Sequence, residues 1–264
     1  MLTLDSLMEE AKRLGLPLEK KRGILREYLQ TLILNSIYKH KLGNKIYFMG
    51  GTALMFLYKL PRFSEDLDFN AKGLTSKEFD DLLDVIKIRL ENEGFKVSIK
   101  RKDIYDVYSA RIKFEGILRD FGLITERGKV DIMIKVEVNN PEWKIRGEPA
   151  AISMFGLLFT ILAMDKGSFL AEKSHAFIHR CRGRDVYDVL FMLRLKFPLD
   201  REMFLVKKIK EPPKEALLNK FKSLKKEECK RLAKQVRPFL FKEEEAEFVE
   251  KAYFYGPELL MRNY

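Results

Sequence analysis

The sequence predicts an α+β fold, with a mixed sheet in residues 1–165 and a mostly helical C-terminal domain in residues 166–264. Two observations predict it. Between residue 45 and about residue 165, apolar and polar residues alternate over short stretches, the period of two that strands require. From Ser168 onward the apolar spacing becomes helical and continues to the C-terminus, broken at Pro198 and at Pro212-Pro213. No internal repeat or low-complexity linker interrupts this order, so the two domains are expected to pack with the active cleft between them.

Residues 3–41 read as helical, with Ile24, Leu25, Tyr28, Leu29, Leu32 and Ile33 recurring at helical intervals. The run Ile46-Tyr47-Phe48-Met49 reads as a short buried strand, and Gly50-Gly51 directly after it allows a tight turn and close backbone approach. Thr52 is then placed to cap a helix whose apolar stripe is Ala53, Leu54, Phe56, Leu57 and Leu60, and which Pro61 stops. A second strand runs through Glu65-Asp66-Leu67-Asp68-Phe69. Thr75-x-x-Glu78 is a capping box, and it opens a helix carrying Leu82, Leu83, Val85, Ile86 and Leu90. Strands are expected at 95–100, 107–114 and 130–138. The apolar run 150–164 is divided by Gly156 into two buried strands, and Ser168 caps the helix after them.

The chemistry concentrates around Asp66 and Asp68. Strand side chains alternate between faces, so these two carboxylates share one face while Leu67 and Phe69 turn to the core. Carboxylates held that close repel unless a cation lies between them. Magnesium suits the pair, because it takes hard oxygen ligands and commonly uses one or two carboxylates with substrate phosphates. The free N–H groups and dipole at the helix start after Gly50-Gly51 form a place for phosphate. Two metal ions acting on an in-line displacement at phosphorus want a third carboxylate. On the strand at 130–138, Val130, Ile132, Ile134, Val136 and Val138 share one face and Asp131, Met133, Lys135 and Glu137 the other, which leaves Asp131 and Glu137 as the options.

Gly50-Gly51-Thr52-Ala53-Leu54 with Arg62-x-Ser64-Glu65-Asp66-Leu67-Asp68-Phe69 resembles the signature of the AbiEii/AbiGii toxin family, within the polymerase-beta-like nucleotidyltransferase superfamily. Ala171-Glu172-Lys173-Ser174-His175-Ala176 and Arg182-Gly183-Arg184-Asp185-Val186-Tyr187-Asp188-Val189-Leu190 are similar to the family's later motifs. The resemblance implies a polymerase-beta-like nucleotidyltransferase domain preceded by helices, which uses magnesium or manganese to move a nucleoside monophosphate from an NTP to an acceptor. It makes RNA, and the tRNA 3′ end above all, the leading acceptor, and it implies the toxin half of a toxin–antitoxin or abortive-infection system with a cognate antitoxin as partner. Carried over residue by residue, Gly50, Gly51, Thr52, Arg62, Ser64 and Lys173 would bind the nucleotide, and Asp66, Asp68 and Glu137 the metal. Lys173, Asp185 and Asp188 would join those three acids at the reaction centre. The superfamily places its third acid on a strand beside the D-x-D strand, which favours Glu137 over Asp131. Asp185 reads equally as a helix-start charge near Arg182 and Arg184. The alternatives to RNA transfer are a non-catalytic nucleotide- or antitoxin-binding module on the same fold, and NMPylation of protein.

Composition agrees. At 264 residues with 46% hydrophobic content, the chain can bury a real core and suits one large or two modest domains. Its 50 Lys and Arg against 39 Asp and Glu leave a net charge of +11, which suits a polyanionic partner. The lysine-rich segment 207–242, near Phe204 and containing Phe221, Phe239 and Phe241, is a candidate acceptor surface, and the arginines of 180–184 are a candidate phosphate contact. His175 and His179 have the spacing of a zinc-binding helix, but no second ligand cluster accompanies them. With only Cys181 and Cys229 and no secretory leader read at the start, a reducing cytoplasm is expected. The longest apolar run, 150–164, falls short of the ~20 residues a membrane span needs, so no membrane association is expected.

Overall fold

The computed structural model describes residues 1–103, 107–124 and 130–264. The chain divides into two compact units, one of Met1–Lys59 with Phe63–Ala163 and one of Leu60–Arg62 with Met164–Tyr264. The first holds α1 (Leu4–Arg13), α2 (Lys21–Tyr38), β1 (Ile46–Met49), α3 (Gly50–Tyr58), β2 (Leu67–Ala71), α4 (Ser76–Asn92), β3 (Val97–Arg101), β4 (Val107–Phe114), α5 (Ile117–Asp120), β5 (Ile132–Asn139), β6 (Gly147–Met154) and β7 (Leu157–Met164). The second holds α6 (Lys166–His179), α7 (Gly183–Arg194), α8 (Arg201–Val206), α9 (Pro213–Ser223), α10 (Lys226–Val236), α11 (Ala246–Glu250) and α12 (Ala252–Asn263). No helix among the described residues is long and apolar enough to cross a membrane.

The sheet is seven-stranded and mixed, in the order β3-β4-β5-β2-β1-β7-β6. β2 lies between β1, to which it is antiparallel, and β5, to which it is parallel. Leu67, Phe69 and Ala71 are fully buried on one face, and on the other Asp68 is partly exposed while Asn70 is buried. Phe48 on β1 and Phe69 on β2 meet with ring centroids 5.3 Å apart, and Phe56 of α3 meets Phe48 edge-on at 6.2 Å. On β5, Ile132, Ile134, Val136 and Val138 are all at most 1% exposed, so this strand feeds the core at every second residue. Each such side chain contributes about 1.5–3 kcal/mol by leaving water. The central strands therefore form a stiff platform under whatever their polar faces carry.

The capping box forms as read: Thr75 Oγ1 accepts from the Glu78 N–H at 3.2 Å, and Glu78 Oε2 accepts from the Thr75 N–H at 2.8 Å. Phe155 and Gly156 both have positive φ, 50° and 74°, and join β6 to β7 in a two-residue turn. Gly156 thus divides the apolar run as expected, but β6 is half-buried, with only Ile152 and Met154 enclosed. Ser168 does not cap the next helix. The helix begins at Lys166 and its cap is Asp165, whose carboxylate accepts from the Ser168 N–H at 2.8 Å, so Ser168 falls inside the first turn as the donor to the cap.

In the helical unit, α7 is the buried member: Val186, Tyr187, Val189, Leu190, Phe191, Met192 and Leu193 are all at most 6% exposed. Phe177 and Phe221 pack ring to ring at 4.6 Å.

Candidate active site

In the sheet unit, β1 runs straight into α3 without a loop. Gly50, the first helical residue, has φ of +82°, a conformation that side-chain-bearing residues rarely adopt, and a Cβ there would collide with the Asp68 carboxylate. Gly50 therefore admits an acidic group against a helix N-terminus. The cap position falls on Met49, and no described side chain caps the helix. Thr52 is inside the first turn instead, and its hydroxyl donates to the Asp66 carbonyl at 2.5 Å. The expectation that Thr52 caps α3 is thus corrected: its partner comes from fourteen residues downstream. α3 ends at Tyr58, with Lys59 in the left-handed conformation two residues before Pro61.

Asp66 immediately precedes β2, and Asp68 lies on it. Both are partly exposed while Leu67 and Phe69 are buried. Asp68 pairs in register with Met49 on β1 and with Glu137 on β5, which places the Glu137 side chain beside that of Asp68 on the polar face. Asp131 lies just before β5, at the end away from Glu137, where it accepts from the Gly116 N–H at 2.8 Å and pairs with Lys113 at 2.9 Å. Of the two options for a third acid, Glu137 is the one beside Asp68.

Sequence reading missed Lys135. Its ammonium lies 2.7 Å from Glu137 Oε2, and the fields of Asp66 and Asp68 also reach it. Burial by itself would lower the Lys135 pKa, but the Glu137 contact and the two aspartates outweigh it and raise it. Lys135 alternates with buried residues on β5, and its being the one cation between Asp131 and Glu137 on that strand's polar face was the available signal. Among the described residues, no three His, Cys, Asp or Glu side chains come together as a ready metal cage. The donor chemistry nevertheless fits a hard divalent ion, since Asp66, Asp68 and Glu137 supply carboxylate oxygens and Lys135 stands in as the local positive charge.

The helical unit contains a second constellation. Arg62 and Asp188 form a two-pronged ion pair, Nε to Oδ1 and Nη2 to Oδ2 both at 2.7 Å, and Lys173 Nζ reaches Oδ2 at 2.7 Å. Asp188 is fully enclosed and Arg62 nearly so, whereas the Lys173 side chain keeps 13% of its surface. Burial pushes the Asp188 pKa up, but Arg62 and Lys173 together hold it below the usual value, so the group is a carboxylate. Asp188 therefore orients a lysine and an arginine. Asp185 takes the helix-start role: it accepts from the Arg182 N–H at 3.0 Å and from Arg180 at 3.0 and 2.5 Å.

The arginine tract is partly engaged in structure, Arg180 on Asp185 and Arg184 over the Phe239 ring at 4.6 Å. The His175 and His179 rings meet at a tilt of 47° with centroids 4.5 Å apart, and burial, then His179, lowers the His175 pKa. Phe204, just before the lysine-rich segment, and Phe221 within it are fully buried and belong to the core, which removes them as stacking platforms, while Phe239 and Phe241 stay partly exposed.

A search of curated proteins finds no match. The fold resembles JHP933 from Helicobacter pylori, with a TM-score of 0.56 and 19% identity over 91% of this chain and 94% of that one. It also resembles MenT4, a nucleotidyltransferase toxin from Mycobacterium tuberculosis, with a TM-score of 0.57 and 20% identity over 97% and 90% of the two chains. The family model for the nucleotidyl transferase AbiEii toxin of type IV toxin–antitoxin systems matches residues 32–253, a span that contains Gly50-Gly51, Asp66, Asp68, Glu137, Lys173 and Asp188. With most of its length matched, the chain belongs to the AbiEii nucleotidyltransferase toxin family.

Proposed function

We propose that this chain moves a nucleoside monophosphate from an NTP to an RNA acceptor, the 3′ end of tRNA first among candidates, in a reaction that requires magnesium or manganese. The observation that carries the reading is the register pairing of Asp68 with Glu137, with Asp66 two residues upstream and the Gly50 turn against the Asp68 carboxylate. Asp66, Asp68 and Glu137 would hold the divalent ion, which when bound neutralises charge building on the attacking and leaving oxygens.

The chain's own residues carry the remaining work. The N–H groups of Gly50, Gly51 and Thr52 open α3 and give the triphosphate a positive helix end to lie on. Ser64 and Arg62 would add donors to the nucleotide, and Lys173 a compact positive charge to a phosphate oxygen. Asp188 keeps Arg62 and Lys173 aligned without touching substrate. Asp185 holds the start of α7.

The acceptor assignment draws support from charge. The helical unit carries twenty-four Lys and Arg against sixteen Asp and Glu, and the sheet unit twenty-six against twenty-three, so most of the basic surplus lies in the helical unit. A phosphate backbone is the partner such a surplus suits. Family membership supports a cognate antitoxin as partner, and two free cysteines suit a reducing cytoplasm.

The test is to incubate the protein with each of the four α-labelled NTPs, magnesium and total RNA. Label entering RNA of tRNA size with wild type, and lost with Asp66→Ala, is the expected result. Label entering protein alone would move the acceptor to protein. No transfer by wild type, or equal transfer by Asp66→Ala, would remove the reading.

A further inference from the structure

The residues leading into the acidic pair are held by their carbonyls, three in succession, each by a different side chain. Ser64 O accepts from Gln30 Nε2 at 3.1 Å, Glu65 O from Arg26 Nη1 at 3.4 Å and Asp66 O from Thr52 Oγ1 at 2.5 Å. These residues lie ahead of Leu67, the first residue of β2 paired with β5, so they approach the site before the sheet ladder begins. The same Arg26 nitrogen donates to the Met133 carbonyl at 2.7 Å. One guanidinium thus ties the chain before Asp66 to β5, the strand that bears Glu137.

The tie comes from one face of one helix. Gly23, Arg26 and Gln30 fall on the same side of α2, and Gly23 lets the Phe63 ring press so close that a Cβ there would be 2.7 Å from Phe63 Cζ. Gln30 is fully buried, so its donor meets the Ser64 carbonyl with no water to compete. Carboxylates that must meet an ion within a few tenths of an ångström depend on the backbone behind them.

We infer that Arg26 and Gln30 are positioning residues for Asp66 and Asp68, fixing where the two carboxylates stand without touching substrate. The inference rests on the nucleotidyl-transfer reading above. A purely structural role would lower the melting temperature and leave the kinetics of the folded protein unchanged. A positioning role acts on the ion and on turnover.

The experiment compares wild type, Gln30→Leu, Arg26→Met and Arg26→Lys by three readouts: Mn2+ binding followed by electron paramagnetic resonance, kcat and KM for NTP, and thermal melting. Gln30→Leu and Arg26→Met are expected to weaken Mn2+ binding and lower kcat by about 10- to 100-fold, as loss of supporting hydrogen bonds does elsewhere. KM for NTP should change little. Arg26→Lys, which keeps a charged donor, should recover most of the loss. Arg26 is partly exposed, so Arg26→Met remains decisive even where Gln30→Leu does not fold. Wild-type Mn2+ affinity and kcat in a folded Arg26→Met protein would overturn the inference while leaving the transfer reading intact. A wild type that neither binds Mn2+ nor transfers would overturn both.

Discussion

At the scale of single residues, partners distant in sequence decide what each charged group does. Asp188 is the clearest case: a neighbour of Tyr187 in sequence, it is bound in space to Arg62, 126 residues away, and to Lys173. Asp188→Asn would leave two cations facing a neutral amide in a buried setting, and a loss of about 3–5 kcal/mol is expected. Urea unfolding measures it, and a loss below about 1 kcal/mol, the range of an exposed pair, would contradict this placement. None of that pairing was legible in the sequence, where Arg62 and Asp188 appear only as members of separate motifs. The Asp66–Asp68 alternation was legible, because the two-residue period of a strand is local. The proximity of Asp68 to Gly50 was not, since it depends on β2 folding back against β1.

At the scale of elements, α2 holds a group that its pattern concealed. Ile24, Leu25, Tyr28, Leu29, Leu32 and Ile33 announce one buried face, yet Glu27, Gln30 and Thr31 on the remaining surface are also fully buried. Neither Glu27 carboxyl oxygen has a hydrogen-bond partner among the described residues, and burial raises its pKa well above 4.5 despite the opposing field of Lys59. The folded protein therefore holds a proton that the unfolded chain releases above pH 4.5. Stability from this group is complete below that pH and is lost as pH climbs toward the raised folded value. Glu27→Gln removes the titration. Unfolding free energies measured from pH 4 upward should show variant and wild type close at the acid end, with the variant gaining steadily as pH rises, and a gap independent of pH would contradict it. Elements set by local signals, such as the capping box of α4 and the glycine turn between β6 and β7, were readable beforehand. The caps of α3 and α6 were not, because a strand running directly into α3 moved its cap to Met49 and α6 starts earlier than expected, on Asp165, with Ser168 inside its first turn.

At the scale of the whole molecule, the mixed sheet and the helical remainder follow from the change of period near Ser168, and the family match from residue 32 to 253 spans both. What composition could not say is where the surplus charge lies. The helical unit holds most of it, and two of the aromatics that looked available to an acceptor are core. In the sheet unit, the pairing of β1, β2 and β5 presents Asp68 and Glu137 side by side, next to a helix start kept open by Gly50. The direct measurement is anomalous scattering from crystals grown with Mn2+ and a nonhydrolysable NTP analogue. The result predicted is a manganese peak held by Asp66 and Asp68, with the analogue's phosphates at the start of α3. Aspartates splayed apart with no manganese between them, while the analogue is bound elsewhere, would contradict the account.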